Sequence, residues 1–121
     1  MPRKKAAQHA NIRPWMSARR DCEEGRFIQV GNSLLLSDAF QALNSSAQVL
    51  YLCLAMESGG KQRVRLSRGQ AKKYGIAPAT YSRGIKELID AGFLVIADDI
   101  GRFESNTFLF CTAWKENPVS K

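Results

Sequence analysis

Apolar and polar positions along this chain repeat with two different periods, and the changes of period mark out its elements. The run Ala47-Gln-Val-Leu-Tyr-Leu-Cys-Leu-Ala-Met56 is apolar on nearly every side, which predicts a helix at the centre of a small core. Ser45-x-x-Gln48 ahead of it reads as a capping box, and Glu57-Ser-Gly-Gly60 behind it as a stop. Arg63-Val-Arg-Leu66 then alternates charged and apolar residues, the pattern of a short half-buried strand. A second capping box, Ser67-x-x-Gln70, opens a helix over about 68–74, which Gly75 ends. Ile76 and Ala77 form a tight turn, and Pro78 occupies the first position of the next helix, 78–91. Tyr81, Ile85, Leu88 and Ile89 fall on one face of that helix, and Gly92 caps it. Residues 93–97 and 107–114 read as the two strands of a hairpin, with a turn region at 98–101. Upstream, 26–30 reads as a short strand ending at Gly31-Asn32, and 37–43 as a brief helix.

This order of elements predicts one α+β domain over 26–114, preceded by an arm (1–25) and followed by a short tail (115–121). The arm has little periodicity and many small or charged residues, so it is expected to be flexible, with Trp15 and Met16 as a local anchor. A chain of 121 residues supports one modest core without disulfides or a metal. Its three cysteines, Cys22, Cys53 and Cys111, are scattered with no C-x-x-C pair, a usage that argues against a disulfide framework or zinc site. Cys53 and Cys111 lie in apolar runs and read as small core residues. No stretch is long and apolar enough to span a membrane, and the expected location is cytoplasmic.

Charge changes the picture once it is placed along the chain. The net charge is +7, and residues 1–20 contribute six basic side chains with no acid. Lys61, Arg63, Arg65, Arg68, Lys72, Lys73, Arg83 and Lys86 follow in a stretch without a carboxylate. From Glu87 to Glu104 the balance reverses, with five acids against Arg102 alone. A basic block of this kind points to a polyanion, and double-stranded DNA is the usual one.

Two helices joined by about three residues including a glycine, then a hairpin, make a helix-turn-helix with a wing. The run from Leu66 to Leu94, which closes on Lys86-Glu-Leu-Ile-Asp-Ala-Gly-Phe93, resembles the winged helix-turn-helix DNA-binding domains of bacterial regulators. Phe27-Ile-Gln-Val, Ser33-Leu-Leu-Leu-Ser-Asp-Ala-Phe and Leu43-Asn-Ser-Ser-Ala are similar to members found on plasmids, phages and conjugative elements. The resemblance implies a three-helix core with a C-terminal wing, here with an added N-terminal strand and helix. It also implies DNA binding in transcriptional control, or in replication and maintenance of a mobile element. Two features depart from the family pattern. Ala77-Pro78 stands where many members carry a capping Ser or Thr, and the wing tip carries Asp98 and Asp99, which a phosphate backbone repels.

With Tyr81, Ile85, Leu88 and Ile89 facing inward, helical geometry turns Ala79, Thr80, Ser82, Arg83 and Lys86 outward. The first half of a recognition helix lies nearest the base edges, so Ala79, Thr80, Ser82 and Arg83 are the candidates for base readout. Arg83 leads them because its fork pairs with guanine O6 and N7. Arg63, Arg65, Arg68, Lys72, Lys73 and Lys86 are the candidates for phosphate contact. Tyr74 and Tyr81 read as packing residues. The competing reading is a protein-interaction adaptor that offers its acidic wing to a basic partner; a third is non-specific or double-stranded RNA binding by the basic arm. Two-fold DNA sites favour a homodimer, with the arm or the 37–43 helix as its interface. No catalytic residue, cofactor, metal or small-molecule ligand is expected: the lone histidine, His9, lies in the arm, and no phosphate-binding glycine motif is present.

Overall fold

The computed structural model describes residues 10–97 and 106–116. Three main helices pack with a three-stranded antiparallel sheet, and a short N-terminal hairpin precedes them. In that hairpin β1 (Ala10–Asn11) pairs with β2 (Glu23–Glu24), with a 3₁₀ turn at Pro14–Met16 between them. Two short helices follow, α1 (Asn32–Leu36) and α2 (Asp38–Gln41). Next come α3 (Ser45–Ser58), β3 (Arg63–Arg65), α4 (Arg68–Ala71), α5 (Pro78–Asp90), β4 (Leu94–Ile96) and β5 (Thr107–Phe110). β5 is the central strand, flanked by β3 and β4, with Val64 opposite Phe108 and Val95 opposite Leu109. No helix among the described residues is long and apolar enough to cross a membrane.

Several expected elements are placed differently. The strand expected over 26–30 is irregular backbone: it has no ladder partner, and Arg26 reaches Glu57 of α3 instead, with 3.5 Å between Nη1 and Oε2. Ladder pairing upstream falls at β1 and β2, inside the stretch read as the arm; residues 1–9 lie outside the described residues. The helix expected over 37–43 is split from an unforeseen one before it. Ser37 is extended and its Oγ accepts from the Phe40 N–H at 3.1 Å, so it ends α1 and caps α2. The first capping box does not form. Asn44 is a good cap one residue earlier, and its Oδ1 accepts from the Ser46 N–H at 3.0 Å. Gln48 is thereby released to donate to the Phe40 carbonyl at 2.9 Å. β5 stops at Phe110 instead of running to Trp114, because the chain turns so that Trp114 stacks on Phe93, centroids 5.1 Å apart.

Phe93, Leu50, Leu54, Leu66, Leu88 and Leu94 are the largest fully buried side chains. Around Phe93 gather Phe40, Tyr51 and Trp114, with Phe110 edge-on to Tyr51 at 5.5 Å. Such ring pairs add to what their burial alone contributes. Cys53 and Cys111 are half-buried free thiols and not core residues, with Cys53 packed against the margin of the core.

The turn after α5 ties the helix to the segment that follows β5. Gly92 has φ +88°, and its carbonyl accepts from the Trp114 N–H at 3.2 Å. A Cβ there would lie 2.9 Å from the Trp114 nitrogen and 3.2 Å from the Ala113 carbonyl carbon, both backbone atoms with little room to yield. Gly75 has φ +80° with nothing within 4 Å of such a Cβ. Gly75→Ala is therefore expected to cost about 1 kcal/mol for left-handed backbone alone. Gly92→Ala adds overpacking and is expected to cost roughly 3 kcal/mol. Urea unfolding of the two variants beside the parent checks the order; equal losses would contradict the contact at Trp114.

Candidate nucleic-acid interface

The two helices that carry the basic block owe their placement to local chemistry. Ser67 Oγ accepts from the Gln70 N–H at 3.1 Å while Gln70 Oε1 accepts from the Ser67 N–H at 2.9 Å, the full reciprocal box. α4 makes one turn, tightens into a 3₁₀ turn over Lys72–Tyr74 and stops at Gly75. Ile76 is buried and pins the connection, Ala77 is extended, and Pro78 begins α5 with a φ already suited to a helix. The Tyr81 hydroxyl, on the inner face of α5, donates to the Leu66 carbonyl at the end of β3. Burial pushes that phenol up to about 12, with Arg68 pulling slightly the other way, so it stays a neutral donor. Through this bond the end of β3, the start of α4 and the first half of α5 meet at one place.

Tyr81, Gly84, Ile85 and Leu88 are buried, while Ala79, Ser82, Arg83, Lys86 and Asp90 are exposed along the opposite face. Thr80 departs from the expectation of an outward side chain. It is half-buried and lines a shallow cleft with Ser45, Ser46 and Val49 of α3. Its position explains this: Thr80 lies one turn before Gly84, on the ridge that packs against α3.

All six expected phosphate ligands are exposed, yet they differ in what their charge already meets. Lys73 Nζ lies 2.5 Å from Glu57 Oε2, the same oxygen that accepts from the Tyr74 hydroxyl at 2.6 Å. Lys86 Nζ lies 3.2 Å from Asp90 Oδ2, one turn on, with both side chains well exposed. Among the described residues Arg65, Lys72 and Arg83 make no ion pair or side-chain hydrogen bond, and Arg68 is occupied only by its field on Tyr81. Arg63 and Arg65 flank buried Val64 on β3, so both point away from the core. No acid occurs from 61 to 86. Glu87, which follows, is half-buried and accepts from the Asn44 N–H at 2.7 Å. The exposed cations are thus carried by three neighbouring elements, the last a helix about 20 Å long. Asp98, Asp99 and Arg102 of the expected wing tip lie outside the described residues. Among the described residues no cluster of three His, Cys, Asp or Glu side chains is placed to hold a metal ion.

Two residues that shape this surface carry no sequence signal. Glu57, expected only to help end a helix, collects Arg26, Lys73 and Tyr74. Gly84 sits unremarked in a helical pattern, yet a Cβ there would fall 2.7 Å from Leu50 Cδ2. Neither contact is local in sequence, so neither spacing nor composition announces it.

No protein-family model, curated protein or solved structure matches this chain.

The Lys73 and Tyr74 hydrogen bonds hold the Glu57 carboxyl below its ordinary 4.5, despite partial burial. A lowered folded-state value means stability that is present above about pH 4.5 and lost as pH falls through the lowered value. Glu57→Gln is expected to cost about 1 kcal/mol at neutral pH, because Lys73 is half exposed and screened. Below pH 4.5 the parent should approach the variant. Thermal melts of both proteins from pH 7 down to about 3 check this; melting curves that stay equally separated would contradict the role given to Glu57.

Proposed function

We propose that this chain is a winged helix-turn-helix protein that binds double-stranded DNA, with α5 as its recognition helix. The observation that carries the reading is that Arg65, Arg68, Lys72, Ser82 and Arg83 are all exposed, come from a stretch of chain without an acid, and belong to elements joined where the Tyr81 hydroxyl meets the Leu66 carbonyl. An α-helix fits the major groove of B-DNA, and an Arg at its exposed front is the side chain best matched to a guanine edge. In this reading Arg83 reads a base, with Ala79 and Ser82 beside it and Thr80 reaching only an adjacent phosphate or base. Arg65, Arg68 and Lys72 meet the phosphates, as do Arg63 and, once released from Asp90, Lys86. Lys73 contributes least, because Glu57 already holds it.

The order of elements supports the reading, since the hairpin of β4 and β5 follows α5 directly and β3 completes its sheet. The role that fits best is transcriptional control, or replication and maintenance of a mobile element, with a homodimer on two-fold sites. DNA selected from a random pool by the full chain supplies the preferred duplex for titration. Fluorescence anisotropy is expected to show affinity falling with salt at about −0.9 in log–log slope per phosphate neutralised. Arg83→Ala should cost about 1–3 kcal/mol on the preferred site and little on random duplex. Lys72→Ala should lower the salt slope by about one, while Lys73→Ala leaves it nearly unchanged. An Arg83→Ala protein that matches the parent on every duplex would remove α5 from the recognition role.

A further inference from the structure

The flank of α3 turned away from α5 is open. Tyr51, Leu52 and Ala55 of that helix form one wall of a groove of about 1100 Å³. The irregular segment after β2 forms the facing wall, with Phe27 39% and Val30 40% exposed, and Phe110 and Trp114 close one end. Its cations are Arg26, Lys61 and Lys115, and no acidic side chain lines it among the described residues. Arg26 shares its charge with Glu57, and Lys115 lies 5.7 Å from the Trp114 ring, which leaves Lys61 and Lys115 without a carboxylate partner among the described residues. The Tyr51 hydroxyl is half-buried and donates no hydrogen bond among the described residues, although its ring touches Phe40, Phe93 and Phe110. An aromatic body with a spare polar tip is the usual form of an interface anchor.

We infer that this groove is a docking site for an acidic amphipathic segment of a partner protein, whose aliphatic or aromatic anchors enter between α3 and the 27–30 segment while its carboxylates meet Lys61 and Lys115. The inference is independent of the DNA-binding reading, since it uses the other side of α3. Three observations select this occupant. The groove is open to solvent instead of enclosed, and its volume of about 1100 Å³ stands at the top of the roughly 300–1,000 Å³ range of small-molecule pockets. Its apolar floor between rim cations matches a helix-in-groove or extended-peptide mode, with hydrophobic anchors and complementary flanking charge. A second copy placed symmetrically on the groove would set Lys61 and Lys115 against the same residues of its neighbour, on a chain of net charge +7.

The test is selection of 12-residue random peptides, displayed on phage, against the full chain, followed by anisotropy with a synthetic enriched peptide. Enriched peptides are expected to be net negative with several aliphatic or aromatic residues. Ala55→Arg should weaken the synthetic peptide at least about tenfold by filling the groove, and so should Lys61→Glu with Lys115→Glu. The two changes separate docking from plain charge attraction, because Ala55→Arg adds a cation and would strengthen the latter. The surface pair Lys61→Glu, Lys115→Glu leaves the core intact should Ala55→Arg disturb folding. DNA affinity of the Ala55→Arg protein should match that of the parent. Peptides that are not enriched, that are neutral or basic, or that bind more tightly to Ala55→Arg would overturn the proposal. So would a parent dimer that Ala55→Arg dissociates, which would make a second copy the occupant.

Discussion

Leu50 of α3 and Gly84 of α5 meet so closely that one added methyl group would fall 2.7 Å from the leucine Cδ2. Much of the molecule depends on this approach. Leu54 of α3 and Leu88, Tyr81 and Ile85 of α5 are buried in the same core. The approach also sets the rotation of α5 about its axis, and so decides which residues remain outside. Thr80, on the same ridge as Gly84, is drawn toward α3, whereas Ser82, Arg83 and Lys86 are left on the open face. A bulkier residue at 84 would force the Leu50 side chain to shift, and a buried leucine has few alternative positions in a packed interior.

Electrostatics then sorts a uniform run of cations into distinct kinds. Eight basic residues between 61 and 86 look equivalent along the chain. In space, Glu57 draws Lys73 and Arg26 to the end of α3, and Asp90 holds Lys86 loosely on the surface of α5. Exposed pairs of the second kind contribute little and yield readily to a phosphate. The Glu57 cluster is more covered and also carries the Tyr74 hydrogen bond, so it acts as a joint between α3 and the turn after α4. Arg65, Lys72 and Arg83 are left exposed without a carboxylate partner among the described residues.

The central helix has two occupied sides and one vacant one. Its Ala47, Leu50 and Leu54 face is buried, and Tyr51 joins the ring cluster about Phe93. An all-round apolar helix needs cover on every side. In a domain of this size the layers run out, and Val49 is left 51% exposed while Leu52 and Ala55 line the groove. The composition of α3 is thus more apolar than the fold can bury, which is the physical basis for reading its open flank as a contact surface.

Short-range chemistry was legible in the sequence wherever it had one solution. The Ser67 and Gln70 box, the Gly75 stop, the Pro78 start and the Tyr81, Ile85, Leu88 face all follow from residues within one or two turns of each other, and they form as read. Where two local solutions competed, the reading failed, as at Ser45 and Gln48, because Asn44 is an equally good cap one residue earlier. The strand read at 26–30 failed for another reason: a β-like run becomes a strand only if a neighbour supplies ladder hydrogen bonds, and the two sheets among the described residues are built from other segments. Basic charge could be located along the chain but not divided among partners, since Lys73 and Glu57 are 16 residues apart, as their numbers give. By itself, then, the sequence determined the order and type of the later elements and the sign of the surface on α4 and α5. Only the tertiary structure decided which cations stay unpaired, how α5 is turned against α3 and where α3 is left open, because each depends on contacts between residues that the chain keeps far apart.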